Sequence, residues 1–271
     1  MTESITISDA LMECLGAAMN APETPRVIML SGPQGIGKST ALKTLEQAYP
    51  DRLVTLSLDD FYLTHRERKL LANEAHALCS MRGPPGTHDL EMLNATIDRI
   101  LNSQEKRDIA VPVFSKQQDD RLQTPRTLKL SAGPKTILLE GWLLGALADL
   151  AASRDSPIND LEANEDADGI WRDWQEHHLA GGYAALWARA DLFCHLTTSS
   201  FDNVSAWRVQ QEATTLGCQP EDLPPERQRW VERFVKHYER ITRRMIDGGR
   251  EKGVSVAVSK DRQVYSSHGP D

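Results

Sequence analysis

Residues 32–39 read Gly32-Pro33-Gln34-Gly35-Ile36-Gly37-Lys38-Ser39, followed by Thr40. This is the pattern G-x-x-x-x-G-K-[S/T], and nothing else in the chain constrains the fold as strongly. Its glycines let backbone N–H groups curl around phosphate, its lysine reaches the β- and γ-phosphates of a nucleotide, and its serine hydroxyl binds Mg²⁺. The chemistry requires a buried strand before the loop and a helix after it, because the helix N-terminus must point at the phosphates. Val27-Ile28-Met29-Leu30 supplies the strand, and Lys38–Ala48 has the composition of the helix. Gly32 through Thr40 are therefore the expected nucleotide-binding residues.

Around this nucleus, strand signals alternate with helix signals, the pattern of an α/β fold with a mainly parallel sheet covered by helices. An amphipathic helix is expected over 5–19. A second strand, Leu53-Val54-Thr55-Leu56, ends at Asp59-Asp60. A polar helical stretch covers 65–80, a Gly/Pro loop 82–88, and a further helix about 89–102. Short strands are expected over 109–114 and 127–130. Thr136-Ile137-Leu138-Leu139 is the clearest buried strand after the first, and 192–196 and 254–258 complete the set. Trp230, Phe234, Tyr238, Ile241 and Met245 fall at helical spacing and read as one core-facing stripe. Residues 153–168 mix Asp, Glu, Asn, Ser and Pro without apolar period, which predicts a solvated insertion. The tail after Lys260 carries no signal.

The chain has 271 residues, enough for a sizeable core without disulfide or metal staples. Lys plus Arg total 31 against 39 Asp plus Glu, a formal charge of −8, which argues against a nucleic-acid partner. Cys14, Cys79, Cys194 and Cys218 are scattered with no C-x-x-C pair, so a reducing cytoplasm is expected. Glu3, Asp9 and Glu13 interrupt any signal-peptide reading, and no run of apolar residues is long enough for a membrane span. The expected partner is a small molecule.

Two acidic positions sharpen the chemistry. Glu140, at the end of strand 136–139, stands where a carboxylate can face Mg²⁺ and its waters. Asp59-Asp60 stands at the carboxyl end of the next strand, where ligands of α/β sheets collect, and a carboxylate there can accept the proton of an attacking hydroxyl. One of the two could instead cap the helix after Tyr62. There is no N-K-x-D guanine-reading motif and no serine-glycine-glycine transporter signature. What remains is a small-molecule kinase or an ATP-binding regulator, and the presence together of Lys38, Ser39, Asp59 and Glu140 argues against a regulator that has lost turnover.

Four short segments in order carry a resemblance: Asp59-Asp60-Phe61-Tyr62-Leu63-Thr64; Arg82-Gly83 leading to Gly86-Thr87-His88-Asp89-Leu90; Leu139-Glu140-Gly141-Trp142 with Gly145; and Trp207-Arg208 with Gln210. Over about residues 26–250 the chain resembles the D-glycerate 3-kinases, relatives of uridine kinase, phosphoribulokinase and bacterial pantothenate kinase. The resemblance implies a P-loop three-layer sandwich with helices on both faces and a helical lid around 201–225. The expected division is an N-terminal helix in residues 1–25, a single kinase domain in 26–260 that contains the insertion 153–168, and a tail in 261–271.

It further implies that ATP and Mg²⁺ are used, that Asp59 is the general base with Asp60 in support, that Lys38 clamps phosphate, and that Ser39 and Glu140 are the metal-side ligands. Arg208 would neutralise charge on the transferring phosphoryl group, or else be a surface arginine covering Trp207. Tyr62, Arg82, His88, Asp89, Lys116 and Arg121 would bind the acceptor, with a helix N-cap as the other reading of His88 and Asp89. The implied reaction makes 3-phosphoglycerate from D-glycerate, with a uridine- or pantothenate-kinase-like activity as the alternative. The chain departs from the family in Pro112-Val113-Phe114-Ser115-Lys116-Gln117 and in Gln118-Asp119-Asp120-Arg121, both in the acceptor loop.

Overall fold

The computed structural model describes residues 5–21, 23–151 and 155–268. In chain order the elements are α1 (Ile7–Met19), β1 (Val27–Ser31), α2 (Lys38–Ala48), β2 (Leu53–Ser57), α3 (His65–Glu74), α4 (Leu90–Leu101), β3 (Arg107–Val111), β4 (Phe114–Ser115), β5 (Asp120–Arg121), β6 (Arg126–Leu130) and β7 (Thr136–Gly141). There follow α5 (Asp160–Glu165), α6 (Ile170–His178), α7 (Ala184–Trp187), β8 (Leu192–Thr198), α8 (Phe201–Leu216), α9 (Pro225–Ile246), β9 (Val254–Val258) and β10 (Val264–His268).

Six strands form the central sheet in the order β10-β9-β8-β1-β7-β2, parallel except for β10. The crossover from β1 to β2 runs one way along the sheet and the return from β2 to β7 runs the other. Right-handed crossovers therefore put α2 and α4 on opposite faces, which makes three layers. β1 is apolar up to Ser31 and buried throughout, as expected of a central parallel strand covered on both sides. α1 belongs to this core: Leu11 and Leu15 are buried, and the helix packs on α2, β9 and β10. Among the described residues no helix is long and apolar enough to cross a membrane.

Several boundaries differ from the sequence reading. Pro112 splits the expected strand 109–114, because it offers no N–H to a ladder; β3 pairs with β6, and β4 with β5, as two small antiparallel ribbons. The expected helix over 65–80 ends at Glu74 and gives way to a 3₁₀ turn, Ala77–Ser80. The chain beyond 260 is no inert tail, since β10 closes the edge of the sheet against β9. The insertion is also corrected. Residues 153 and 154 lie outside the described residues, but Asp160–Glu165 is a helix whose Glu162 is buried between Arg172 and Arg240, and the nearby Asp166 is buried against Arg172. Ion pairing, which leaves no apolar period, holds this segment in place together with Leu161, buried in a cluster with Leu78, Cys79 and Trp171.

Candidate active site

The phosphate loop connects β1 to α2. Gly37 caps α2 at φ 118° and Gly35 sits at φ 79°, left-handed backbone that glycine adopts without steric cost. A Cβ on Gly35 would stand 2.6 Å from Cβ of Trp207, and one on Gly32 would stand 2.9 Å from Cβ of Leu196, so α8 and β8 press directly on the loop. Lys38 donates from Nζ to the carbonyls of Gly32 (2.6 Å) and Pro33 (3.3 Å), folding back over the loop it serves. Ser39 and Thr40 are exposed in the first turn of α2.

Sheet register then delivers the acidic residues. Glu140 on β7 pairs with Leu30 of β1 and with Ser57 of β2, one strand away from the loop on one side and from Asp59 on the other. Ser57 donates its hydroxyl to Glu140. Asp59 and Asp60 lie in a 3₁₀ turn, Leu58–Phe61, directly after β2. Tyr62 donates to Asp59 Oδ1 at 2.6 Å and Lys116 Nζ lies 2.7 Å from Asp59 Oδ2. Burial works to raise the Asp59 carboxyl, but the charge and hydrogen bond of Lys116 and the hydroxyl of Tyr62 outweigh it and hold the group below the usual carboxylate range.

Its neighbours shift the other way. Burial raises Asp60, which accepts only a 3.3 Å hydrogen bond from the Phe114 amide with Arg126 at 4.0 Å. Burial raises Glu140 against the pull of Lys38, and burial lowers Lys38 against the pull of Glu140 and Asp59. Three carboxylates and two ammonium groups thus share one cleft, and Asp59 is the carboxylate held below the usual range. Neither aspartate caps α3; Thr64 does, in a reciprocal pair with Glu67.

The expected acceptor residues converge on this cleft, but the cations among them are already paired. Arg121 donates to the carbonyl of Tyr62 at 2.8 Å and to Asp89 at 3.3 Å. Asp89 is the N-cap of α4, accepting from the Met92 amide at 2.9 Å, so the capping reading holds for it. Arg82 pairs with Asp119, and Lys116 with Asp59. His88 stacks on Tyr62 with ring centroids 4.7 Å apart, and its Nδ1 lies 2.5 Å from the hydroxyl of Tyr183. That hydroxyl also accepts from the Gly86 amide, and when it donates its own proton to Nδ1 the neutral His88 ring carries its proton on Nε2. Nε2 is buried without a protein partner among the described residues, and burial pushes the ring down to about 3, opposed by Asp59, so His88 is neutral.

Arg208 is held by its neighbours on α8 and α9. It pairs with Glu212 at 2.9 Å and Gln211 at 2.8 Å, and its guanidinium lies over Phe234 (5.0 Å) and Trp230 (5.5 Å) of α9. It does not cover Trp207. That ring is covered by Arg262, 5.4 Å from its centroid, which also donates to the Gly35 carbonyl at 2.7 Å and to Gln210 at 3.1 Å. Arg262 buttresses the phosphate loop from a turn that offers no sequence signal. Arg68 and Tyr183 were equally hidden, the first in a polar helix where it is the one buried residue, the second in a π turn, Leu179–Tyr183, between α6 and α7.

No family model matches the chain. The chain is 29% identical over 250 residues to an uncharacterised kinase, mug58, of Schizosaccharomyces pombe, covering 86% of this chain and 85% of the relative. It is 29% identical over 268 residues to the probable ATP-dependent kinase TDA10 of Saccharomyces cerevisiae, covering 90% and 88%. Among solved structures, the D-glycerate 3-kinase of Cryptococcus neoformans var. grubii superposes with a TM-score of 0.73 at 23% identity, covering 97% of each chain. With the phosphate loop, the parallel sheet and the acidic strand ends all in place, the chain has the fold of the P-loop kinases and is similar in sequence to two fungal kinases over most of its length.

Proposed function

We propose that this ATP-dependent kinase phosphorylates a hydroxyl of a small carboxylate-bearing acceptor, D-glycerate, to give 3-phosphoglycerate. The observation that carries the reading is Asp59, a carboxylate kept ionised by Lys116 and Tyr62 in the same cleft as the phosphate-loop lysine. An acceptor hydroxyl gives its proton to Asp59 as its oxygen bonds to the γ-phosphorus of ATP, and the bond from that phosphorus to the ADP oxygen breaks. Lys38, released from the Gly32 and Pro33 carbonyls, meets the phosphates. His88 presents Nε2–H as a donor for an acceptor oxygen, and Tyr62 orients the base.

The residues fit Mg²⁺ in the manner of nucleotide enzymes. Among the described residues no group of three His, Cys, Asp or Glu is poised for a metal, so a bound ion would take most of its oxygens from nucleotide and water. Ser39 and Glu140 would be its protein-side contacts, and the ion would neutralise phosphate charge. Segment 201–225 is the lid in this reading, and Arg208 reaches the transferring group only if α8 shifts and releases it from Glu212 and the α9 rings.

The fold shared with a D-glycerate 3-kinase supports the acceptor assignment, as does the abundance of cations on the acceptor side of the cleft. The test is ADP release with Mg-ATP over a panel of D-glycerate, glycerol, pantothenate and uridine. D-Glycerate should give the highest kcat/KM, and glycerol should be rejected because it leaves a cationic site without its anion. A preference for uridine or pantothenate, or equal use of glycerol, would defeat the assignment to D-glycerate.

A further inference from the structure

Arg68 and Arg82 come from different elements and meet on one carboxylate, that of Asp119. Arg68 donates to Asp119 Oδ2 at 2.9 Å, to Oδ1 at 3.3 Å and to the Asp119 carbonyl at 2.6 Å, and Arg82 pairs with Oδ1. The two guanidiniums lie 5.5 and 5.7 Å from the centre of the Phe114 ring. Arg82 is fixed in the cleft wall: Tyr238 donates to its carbonyl at 2.7 Å, and its charge is felt at Tyr62 and at Lys116, the two partners of Asp59.

The partners in this cluster are unequal. The Arg68 side chain is 0% exposed and that of Arg82 12%, whereas Asp119 is 37% exposed. Two buried cations share one half-exposed anion, and the Nε of Arg68 is buried without an acceptor among the described residues. The other nearby carboxylates are committed: Asp59 to Lys116, Asp89 to Arg121 and the α4 cap, Asp120 to the amides of His65 and Arg121. Asp119 itself sits at φ 54° in the turn between β4 and β5, left-handed backbone that aspartate tolerates less readily than glycine. The cations are built in, and the anion is a strained, solvent-facing residue on a surface turn that also carries Lys116.

We infer that Arg68 and Arg82 form the anion subsite for the acceptor's carboxylate, and that Asp119 fills it as an internal surrogate which the acceptor displaces. Planar guanidiniums favour a carboxylate over a neutral group, and Asp119, once displaced, rehydrates beside the half-exposed His65. The subsite sets the acceptor class as a hydroxy acid and rests on the reading of the chain as a kinase for D-glycerate. An internal competitor lowers apparent affinity by the fraction of molecules in which it holds the site.

The experiment is steady-state kinetics of D119N, which keeps side-chain shape and tolerates left-handed backbone, with D119G as a second variant that removes the backbone strain. With saturating Mg-ATP, KM for D-glycerate should fall about threefold or more in both variants, with kcat and KM for ATP unchanged. R68K, which keeps the charge and loses the planar fork, should raise KM for D-glycerate about tenfold and leave KM for ATP alone. An unchanged or raised KM for D-glycerate in D119N and D119G would show that Asp119 is a strut for the arginines and overturn the inference, while the glycerate reading stood. Failure of the wild-type protein to phosphorylate D-glycerate would overturn that reading and the inference with it.

Discussion

Replacing Lys116 by methionine isolates what keeps Asp59 ionised. Lys116 Nζ lies 2.7 Å from Asp59 Oδ2, and the Lys116 side chain is 65% exposed, so solvent screens part of the attraction. A charge-assisted hydrogen bond is worth about 1.5–3 kcal/mol, and the lower end suits this exposure. At 1.36 kcal/mol per pKa unit, removing it raises the Asp59 carboxyl by about one unit at least, because burial then acts with less opposition. The sign follows directly. Asp59 must be ionised to accept a proton, so raising its pKa moves the acid limb of the kcat/KM profile to higher pH. K116M should begin to lose activity at a higher pH than wild type on the acid limb, while the shape of the profile above pH 7 is retained. The measurement is kcat/KM for D-glycerate from pH 8 down to the lowest pH at which both proteins stay folded, with ATP saturating. Coincident acid limbs in the two proteins would refute the idea that Lys116 sets the ionisation of the base.

Two further perturbations probe the scaffold. His195 is buried between Ser31 Oγ (2.6 Å) and the Glu251 carbonyl (2.9 Å), and burial, helped by the Arg250 charge and opposed by that carbonyl, pushes it from 6.5 down to about 4. The unfolded chain therefore binds a proton between those values that the folded chain refuses, and stability falls as pH falls, by about 2 kcal/mol from pH 7 to 5. H195Q should lose about that much less over the same interval in urea unfolding, and an identical acid loss in both proteins would contradict the assignment. G35A places a side chain at φ 79° and 2.6 Å from Cβ of Trp207. Left-handed strain of about 1–2 kcal/mol plus overpacking of about 1–3 kcal/mol should lower the unfolding midpoint and weaken ATP binding, and a wild-type midpoint would refute the close approach.

The parts of this molecule legible in its sequence are those that obey local rules. The strand before Gly32, the helix after Lys38 and the strand ending at Glu140 follow from apolar runs and a spacing that phosphate chemistry dictates. The stripe on α9 is also where periodicity put it, with Phe234, Tyr238, Ile241 and Met245 buried. The parts that escaped are pairings between distant charges. Arg68 and Asp119 are 51 residues apart, and Arg262 reaches back 227 residues to Gly35. Glu162 sits in a stretch whose composition reads as solvated, yet Arg172 and Arg240 bury it. A charged residue carries no periodic mark of whether its partner is water or a guanidinium from another element, so composition alone assigns such segments to the surface. The same reason explains why Arg82 and Arg121 could be named from the sequence as candidate acceptor cations while their pairings with Asp119 and Asp89 could not.

The comparison of D59N with D60N tests the account most directly. Both residues lie in the turn after β2, but only Asp59 is held below the usual carboxylate range, by Lys116 and Tyr62, whereas burial raises Asp60. With Mg-ATP and D-glycerate, D59N should lower kcat by about 10²–10⁴-fold, the range for a lost general base, while ATP binding measured by calorimetry stays close to wild type. D60N should cost far less. A larger loss of kcat in D60N than in D59N, with ATP affinity intact in both, would contradict the assignment of the base.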